Sequence, residues 1–348
     1  MGKAHSNAYV QAPHFFDLPY RVRRTLLCGR DAAQLAAMAE RWEWESTSTD
    51  WRTAIDRADI DAVDIALPNH LHAEAAIAAA RAGKIVLCEK PMALSLADAR
   101  AMLDAARGVP TMVWFNYRRV PAIAYARQLI EAGRLGTIFH YDAAYRNQSG
   151  RPDPSRDRSW KMDPAQAGSG VADDLLTHVI DTALYLNGPV AEGIAMARTF
   201  VPDRAVDDAF LALLRFENGS VGTFEATRFG IGCRNANNFQ IHGAGGMLRF
   251  NLERLNHLEF ADASEPDAEQ GTRDLLVTDM AHPIAGHFWK PGHIVGYEHT
   301  FIAALAEFLD CLSRGVPFHP DFADGLEVQR VLDALQRSAK TRQWTAVG

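Results

Sequence analysis

Short apolar runs and alanine-rich amphipathic stretches take turns along the first third of the chain. Residues 25–28, 62–67, 85–88 and 111–115 each read as a buried strand of about five residues. The spacing of apolar positions predicts helices over 32–41, 72–82 and 96–106, with Asp31 and Ser95 as N-caps of the first and third and Gly83 closing the second. Strict alternation of strand and helix implies a parallel sheet covered on both faces, a doubly wound Rossmann-type domain.

After Gly136 the pattern changes. A helix over 173–186 is followed by strands at 210–216 and 221–227, separated by Glu217-Asn218-Gly219-Ser220, and Asn-Gly between alternating segments is a strong hairpin signal. Runs at 238–242, 247–250 and 257–260 extend an open, mostly antiparallel sheet, and helices over 297–313 and 326–340 close the chain. The reading is two domains, a doubly wound one at 1–118 and an α+β one at 119–348, with the open sheet as the face for a homo-oligomer.

Composition narrows the setting. The 348 residues are 48% hydrophobic and 23% charged, ordinary for a globular protein. The net charge of −7 is opposite to the basic footprint of a nucleic-acid binder, so no nucleic-acid partner is expected. Cys28, Cys88, Cys233 and Cys311 lie far apart and form no CxxC pair, which points to reduced thiols and to no metal site. Neither a membrane span nor the apolar core of a signal peptide is apparent, so a cytoplasmic protein is expected.

Two constellations could carry chemistry. Glu89-Lys90-Pro91 stands at the carboxyl end of the strand at 85–88, where the ligand crevice of an open α/β sheet lies, and Pro91 breaks the strand there. Without that placement the pair would read as surface charge. In the helix at 173–186, Asp174, His178, Asp181 and Tyr185 fall on one stripe while the other faces are apolar, so the stripe should line a cavity. A histidine with a carboxylate one turn away has the makings of a general base. Asp173 reads as a partner of the helix dipole. Asn69 and His72, after the strand at 62–67, could touch a cofactor or cap the next helix. His293 and Tyr297 lie in a polar and aromatic loop that suits a sugar-like ligand, or whose Trp289 simply anchors packing.

With these pieces placed, the chain resembles the family of glucose-fructose oxidoreductases, inositol 2-dehydrogenases and rhizopine catabolism proteins. The matching residues are Glu89-Lys90-Pro91, Pro68-Asn69 with His72, Asn116-Tyr117-Arg118-Arg119, and Gly170 through Asp174 to His178 and Asp181. Met1 to Ser6, the Arg-Asp-rich loop before Trp160 and the segment Gly292-His293 to Tyr297 look most like the subgroup of levoglucosan dehydrogenase and related pyranose or inositol dehydrogenases. The resemblance implies an NAD- or NADP-dependent enzyme that oxidises a secondary hydroxyl of a cyclic polyol or sugar. It implies His178 as general base, Lys90 as the cation holding the reacting oxygen and Asp174 orienting the pair. It places Met1, Gly2, Arg30, Pro68, Asn69, His72, Glu89, Lys90, Asn116 and Arg118 at the cofactor. Lys90, Tyr145, Trp160, Asp174, His178 and His293 fall to the substrate, with the loop at 146–163 deciding which sugar.

Two departures matter. The family opens with a strand and G-x-G-x-x-G, whereas here only Gly2 matches the last glycine, so the expectation is a start internal to a longer product or a form that binds cofactor poorly. After Leu26-Leu27-Cys28 come Gly29-Arg30-Asp31; Arg30 suits a 2′-phosphate, Asp31 suits a helix cap, and the subgroup suits NAD. A glycosidase using bound NAD, or a non-catalytic cofactor-sensing regulator, are the alternatives. The chain keeps Lys90, Asp174 and His178, which a regulator of this kind loses.

Overall fold

In the computed structural model, which describes residues 1–153 and 159–348, the chain divides into two units. The first comprises Met1–Asn116 and Tyr297–Leu326, the second Tyr117–Gly296 and Glu327–Gly348. The sequence reading assigns everything after residue 118 to one domain. By its contacts, the helix at Tyr297–Arg314 instead groups with the first unit, because it packs on the opening helix of the chain.

The first unit holds α1 (Gly2–Phe15), β1 (Leu26–Cys28), α2 (Ala32–Trp42), β2 (Ser46–Ser48), α3 (Arg52–Asp56), β3 (Ala62–Ile65), α4 (His72–Arg81), β4 (Ile85–Cys88), α5 (Leu96–Ala105) and β5 (Thr111–Val113). Every strand pairing here is parallel: β1 with β2, and β4 between β3 and β5. In the 3-2-1-4-5-6 order of a doubly wound sheet these are the outer pair and the last three. No described residue forms strand 1, which lies third in that order, between 2 and 4. The predicted caps are present: Asp31 accepts from the Gln34 amide and Ser95 from the Asp98 amide, both at 3.0 Å, and Gly83 adopts φ +72° after α4.

The second unit is built on a nine-stranded sheet. Its strands are β6 (Ile138–Arg146), β7 (Val190–Arg198), β8 (Ala209–Phe216), β9 (Val221–Thr227), β10 (Ala236–Gly243), β11 (Gly246–Asn251), β12 (His257–Asp262), β13 (Arg273–Leu276) and β14 (Thr345–Ala346). The order is β13-β12-β11-β10-β6-β9-β8-β7-β14, antiparallel throughout except for the β6–β9 pair. The Asn218-Gly219 turn joins β8 to β9 as expected, with Gly219 at φ +87°. The sequence pattern did not mark α6 (Pro121–Glu131), the central β6 or β7. Strand β6 alternates Tyr141, Ala143 and Tyr145 with His140, Asp142 and Ala144, a half-polar pattern in which only pairing on both sides reveals a strand.

One face of this sheet packs its aromatic side chains, Tyr141, Phe224 and Phe239 among them, under α6, α7 (Thr177–Asn187) and the second half of the closing helix. The other face is open. It forms a shallow groove of about 720 Å³ in which Met196, Leu211 and Leu213 lie exposed. The helix Tyr297–Arg314 is α8 and Phe322–Thr341 is α9. No helix among the described residues is long and apolar enough to cross a membrane.

Candidate active site

The strand ends of the first unit carry the residues expected at a cofactor. Strand β4 runs into Glu89-Lys90-Pro91, with Glu89 buried and Lys90 half-buried. The Glu89 carboxylate bends back so that Oε2 accepts the amide of Lys90 at 3.0 Å, while Oε1 lies 2.9 Å from Nε2 of His5, in the first turn of α1. Because His5 also reaches Asp64 in β3, the N-terminus of α1 lies by the carboxyl ends of these parallel strands. Met1 caps that helix, its carbonyl accepting from Ala4 and His5, and Gly2 occupies the first helical position. The opening amides of a helix, here those of Gly2 and Lys3, have no intrahelical acceptor, and with the positive end of the dipole they form a ready anion site. Arg30, exposed at the end of β1, and the partly exposed Pro68 and Asn69 after β3 complete a set that fits a dinucleotide.

Three residues expected at the cofactor are also held by contacts within the protein. His72 has no exposed surface, and its ring nitrogens lie 2.9 Å from the carbonyls of Pro91 and Leu67. It ties the turn after β4 to the loop after β3, and burial pushes its pKa down. Asn116 is buried and donates its amide to Thr300 Oγ1 at 2.8 Å, which makes it a brace between β5 and α8. Arg118 belongs to the second unit, where its Nη2 and Nε bond Asp181 at 2.7 to 3.2 Å, with both side chains almost wholly buried. The guanidinium also lies 5.1 Å from the ring of Tyr185. The lower half of the predicted polar stripe is therefore a buried ion pair and not a cavity wall.

The upper half is different. The helix expected at 173–186 begins as a π turn over Ala172–Leu176 before continuing as α7, and π insertions recur at functional sites. Asp174 lies in that turn. Its Oδ2 accepts from Nη2 of the buried Arg228 at 3.2 Å, and Lys161 Nζ is 3.5 Å from Oδ1. His178, 7% exposed, lies with its ring centroid 4.5 Å from that of Tyr117 and 5.9 Å from that of Tyr145. Tyr145 donates to Asn235 Oδ1 at 2.6 Å and, at 3.1 Å, accepts from Tyr117. Trp160 stands in the turn Trp160–Met162, with Lys161 6.0 Å from its ring. Tyr145 and His178 thus come together, and Lys161 links Trp160 to Asp174. His293 is exposed, and its Nδ1 lies 3.0 Å from the Lys290 carbonyl. Among the described residues nothing joins it to His178. The Arg-Asp-rich loop falls partly at 154–158, outside the described residues.

Asp173 does more than face a helix dipole. Its Oδ2 accepts the amide and hydroxyl of Ser169 at 2.6 and 2.5 Å and lies 3.4 Å from Gln336 Nε2, fixing the glycine turn before the π segment. Burial raises its pKa. Burial, and then the charge of Asp173, push Asp207 up to about 7. Sequence reading assigned no role to Arg228, Asn235 or His5, because each reaches its partner across the fold.

Residues 1–117 match the oxidoreductase family NAD-binding Rossmann fold, and residues 123–249 match the GFO/IDH/MocA C-terminal domain. Levoglucosan dehydrogenase of Pseudarthrobacter phenanthrenivorans is 39% identical, over 100% of this chain and 95% of its own. The chain belongs to the GFO/IDH/MocA family. Among solved structures, an oxidoreductase domain protein from Kribbella flavida superposes with a TM-score of 0.96 at 43% identity, covering 100% of this chain and 96% of that one. Levoglucosan dehydrogenase in complex with NADH and levoglucosan has a TM-score of 0.96 at 40% identity and the same coverage. As a GFO/IDH/MocA protein the chain is an oxidoreductase with an NAD-binding Rossmann domain, as its Glu89-Lys90-Pro91 and Asp174/His178 motifs imply.

Proposed function

We propose that the chain oxidises a secondary hydroxyl of a cyclic sugar or polyol, with an anhydrosugar of the levoglucosan kind as the first substrate to test. The observation that carries this reading is the setting of His178: a nearly buried imidazole against two tyrosines, one turn from a carboxylate held by Arg228 and Lys161. Similarity to an enzyme solved with NADH and levoglucosan supports the same substrate class. NAD, when bound, accepts the hydride lost by the sugar carbon. The opening amides of α1, with Arg30, Pro68 and Asn69, would hold the dinucleotide, and Glu89 and Lys90 would serve its reacting end.

The chain's own residues manage the proton and the charge. A ring nitrogen of His178 takes the hydroxyl proton, and the Lys90 ammonium stabilises the alkoxide that develops on the oxygen. Asp174, fixed by its two cations, orients the imidazole and steadies its charged form. Tyr145 and Asn235, joined through the phenol, offer hydrogen bonds suited to a second sugar hydroxyl, and Trp160 offers a ring face. His293 is kept as a substrate contact of the loop after β13. The protein acts in the cytoplasm, where its four thiols stay reduced, as a homo-oligomer formed through the open sheet face and without nucleic-acid partners.

Removing either central group tests the roles. Lys90→Ala or His178→Ala should lower turnover by a factor of about 10² to 10⁴ while leaving NADH affinity, read by fluorescence titration, nearly unchanged. Wild-type turnover in both variants contradicts the assignment.

A further inference from the structure

The buried imidazole of His5 has no part in the roles given so far, yet it lies two hydrogen bonds from the lysine placed at the reaction. We infer that His5 is a positioning residue for Lys90, acting through the Glu89 carboxylate and tying the opening helix of the dinucleotide-binding unit to the backbone of that lysine. The inference rests on Lys90 being the cation at the reacting oxygen.

One carboxylate makes the link. Glu89 Oε1 lies 2.9 Å from Nε2 of His5, and Oε2 accepts the Lys90 amide at 3.0 Å. The other face of the imidazole is equally fixed. Nδ1 lies 2.9 Å from Asp64 Oδ2, which also accepts from Tyr9, and Asp64 Oδ1 accepts the indole N–H of Trp114, both at 2.9 Å. The His5 ring stacks on Trp114 with centroids 4.3 Å apart, and Phe301 of α8 lies 5.7 Å away. Both ring nitrogens face carboxylates, which accept only, so both must donate and the ring is an imidazolium. Burial pulls its pKa down, but the charge of Asp64 and the hydrogen bonds to Asp64 and Glu89 raise it to about 9.

Stability alone does not account for this cluster. Charges taken out of water recover little more than their desolvation, and packed apolar residues of the same volume commonly do as well. What an apolar cluster cannot do is fix where the Lys90 peptide lies. The His72 contact to the Pro91 carbonyl holds the other side of the same turn, so the lysine's backbone is gripped from both neighbours while its side chain remains half-buried.

The test uses the full-length holoenzyme. In His5→Gln the amide nitrogen stands where Nε2 stood and keeps the Glu89 bond; in His5→Asn it stands where Nδ1 stood and loses it. His5→Asn should lower kcat roughly ten- to a hundred-fold with the sugar KM little changed, since a small misplacement of a reacting group has this effect. It should also speed hydrogen exchange of the Lys90 amide. His5→Gln should recover most of kcat and the slow exchange, and Glu89→Leu, which removes the acceptor for Lys90 and the partner of His5, should resemble His5→Asn even if the latter folds poorly. Wild-type kcat and exchange in His5→Asn overturn the inference, as do losses in both His5 variants that merely track their melting temperatures. Lys90→Ala, measured alongside, separates the two claims. Full turnover there means the reading of Lys90 has failed; a dead Lys90→Ala beside an unchanged His5→Asn means this inference alone has failed.

Discussion

Asp207 lies against Gly170 at the start of the His178 segment, its amide donating to the Ser169 carbonyl at 2.7 Å and its own carbonyl accepting from Val171. With a folded pKa of about 7 against an ordinary 3.8, the native state holds the proton more tightly than the unfolded chain. Stability from this group is therefore complete below about pH 4 and declines as pH rises towards 7, by an amount on the order of 4 kcal/mol at most. Asp207→Asn should flatten the urea-unfolding free energy between pH 5 and 8 relative to the parent (about pH 5 to 8 spans most of the shift); parallel pH curves for the two proteins contradict this. Arg118 and Asp181 give a second test. Arg118→Met leaves a carboxylate buried without its partner and should lower stability by about 3–5 kcal/mol, most of it recovered in Arg118→Met/Asp181→Leu. A single-variant loss below about 1 kcal/mol would mean that the pair is well hydrated. At this scale the sequence exposes residue type and strand-end position, which is what singles out Lys90 and His178 as candidates. It does not expose what closes around a side chain, such as the burial of His72, Asn116 and Arg118 against protein.

Among the elements, the local signals with a backbone mechanism were legible: the Asp31 and Ser95 caps, the Gly83 helix end and the Asn218-Gly219 hairpin all form where the side chains predict them. The π turn was not legible, because an inserted residue leaves the apolar spacing almost unchanged while turning Asp174 towards Arg228 and Lys161. Just before it, outside the helix, Gly170 bridges to Asp207. Gly170 has φ +116°, and a Cβ there would overlap the side chain and backbone of Asp207. Gly170→Ala should therefore lower stability by roughly 2–4 kcal/mol and reduce turnover in the protein that remains folded. An alanine variant with parental stability and kcat would show that the bridge does not set the turn. Strand β6 escaped notice for a different reason: its side chains alternate too weakly in polarity, and its central place depends on β9 and β10, about eighty and a hundred residues away.

Across the whole molecule, alternating strands and helices followed by a run of strands marked the two architectures correctly, whereas the membership of α8 in the first unit depends on a contact almost three hundred residues from α1. The open sheet face leaves Met196, Leu211 and Leu213 exposed, and the homo-oligomer proposed above would form through it. Leu211→Glu/Leu213→Glu should lower the molar mass read by light scattering; an unchanged mass places the contact elsewhere or shows the parent to be a monomer. The central claim is that this chain oxidises a cyclic sugar hydroxyl with Lys90 and His178 at the reaction. The direct measurement is absorbance of reduced nicotinamide after NAD is mixed with levoglucosan, inositols and pyranosides, for the parent, Lys90→Ala and His178→Ala. The expected result is one NADH per sugar oxidised in the parent and almost none in either variant. Sugar conversion without net NADH, or equal rates in all three proteins, would contradict it.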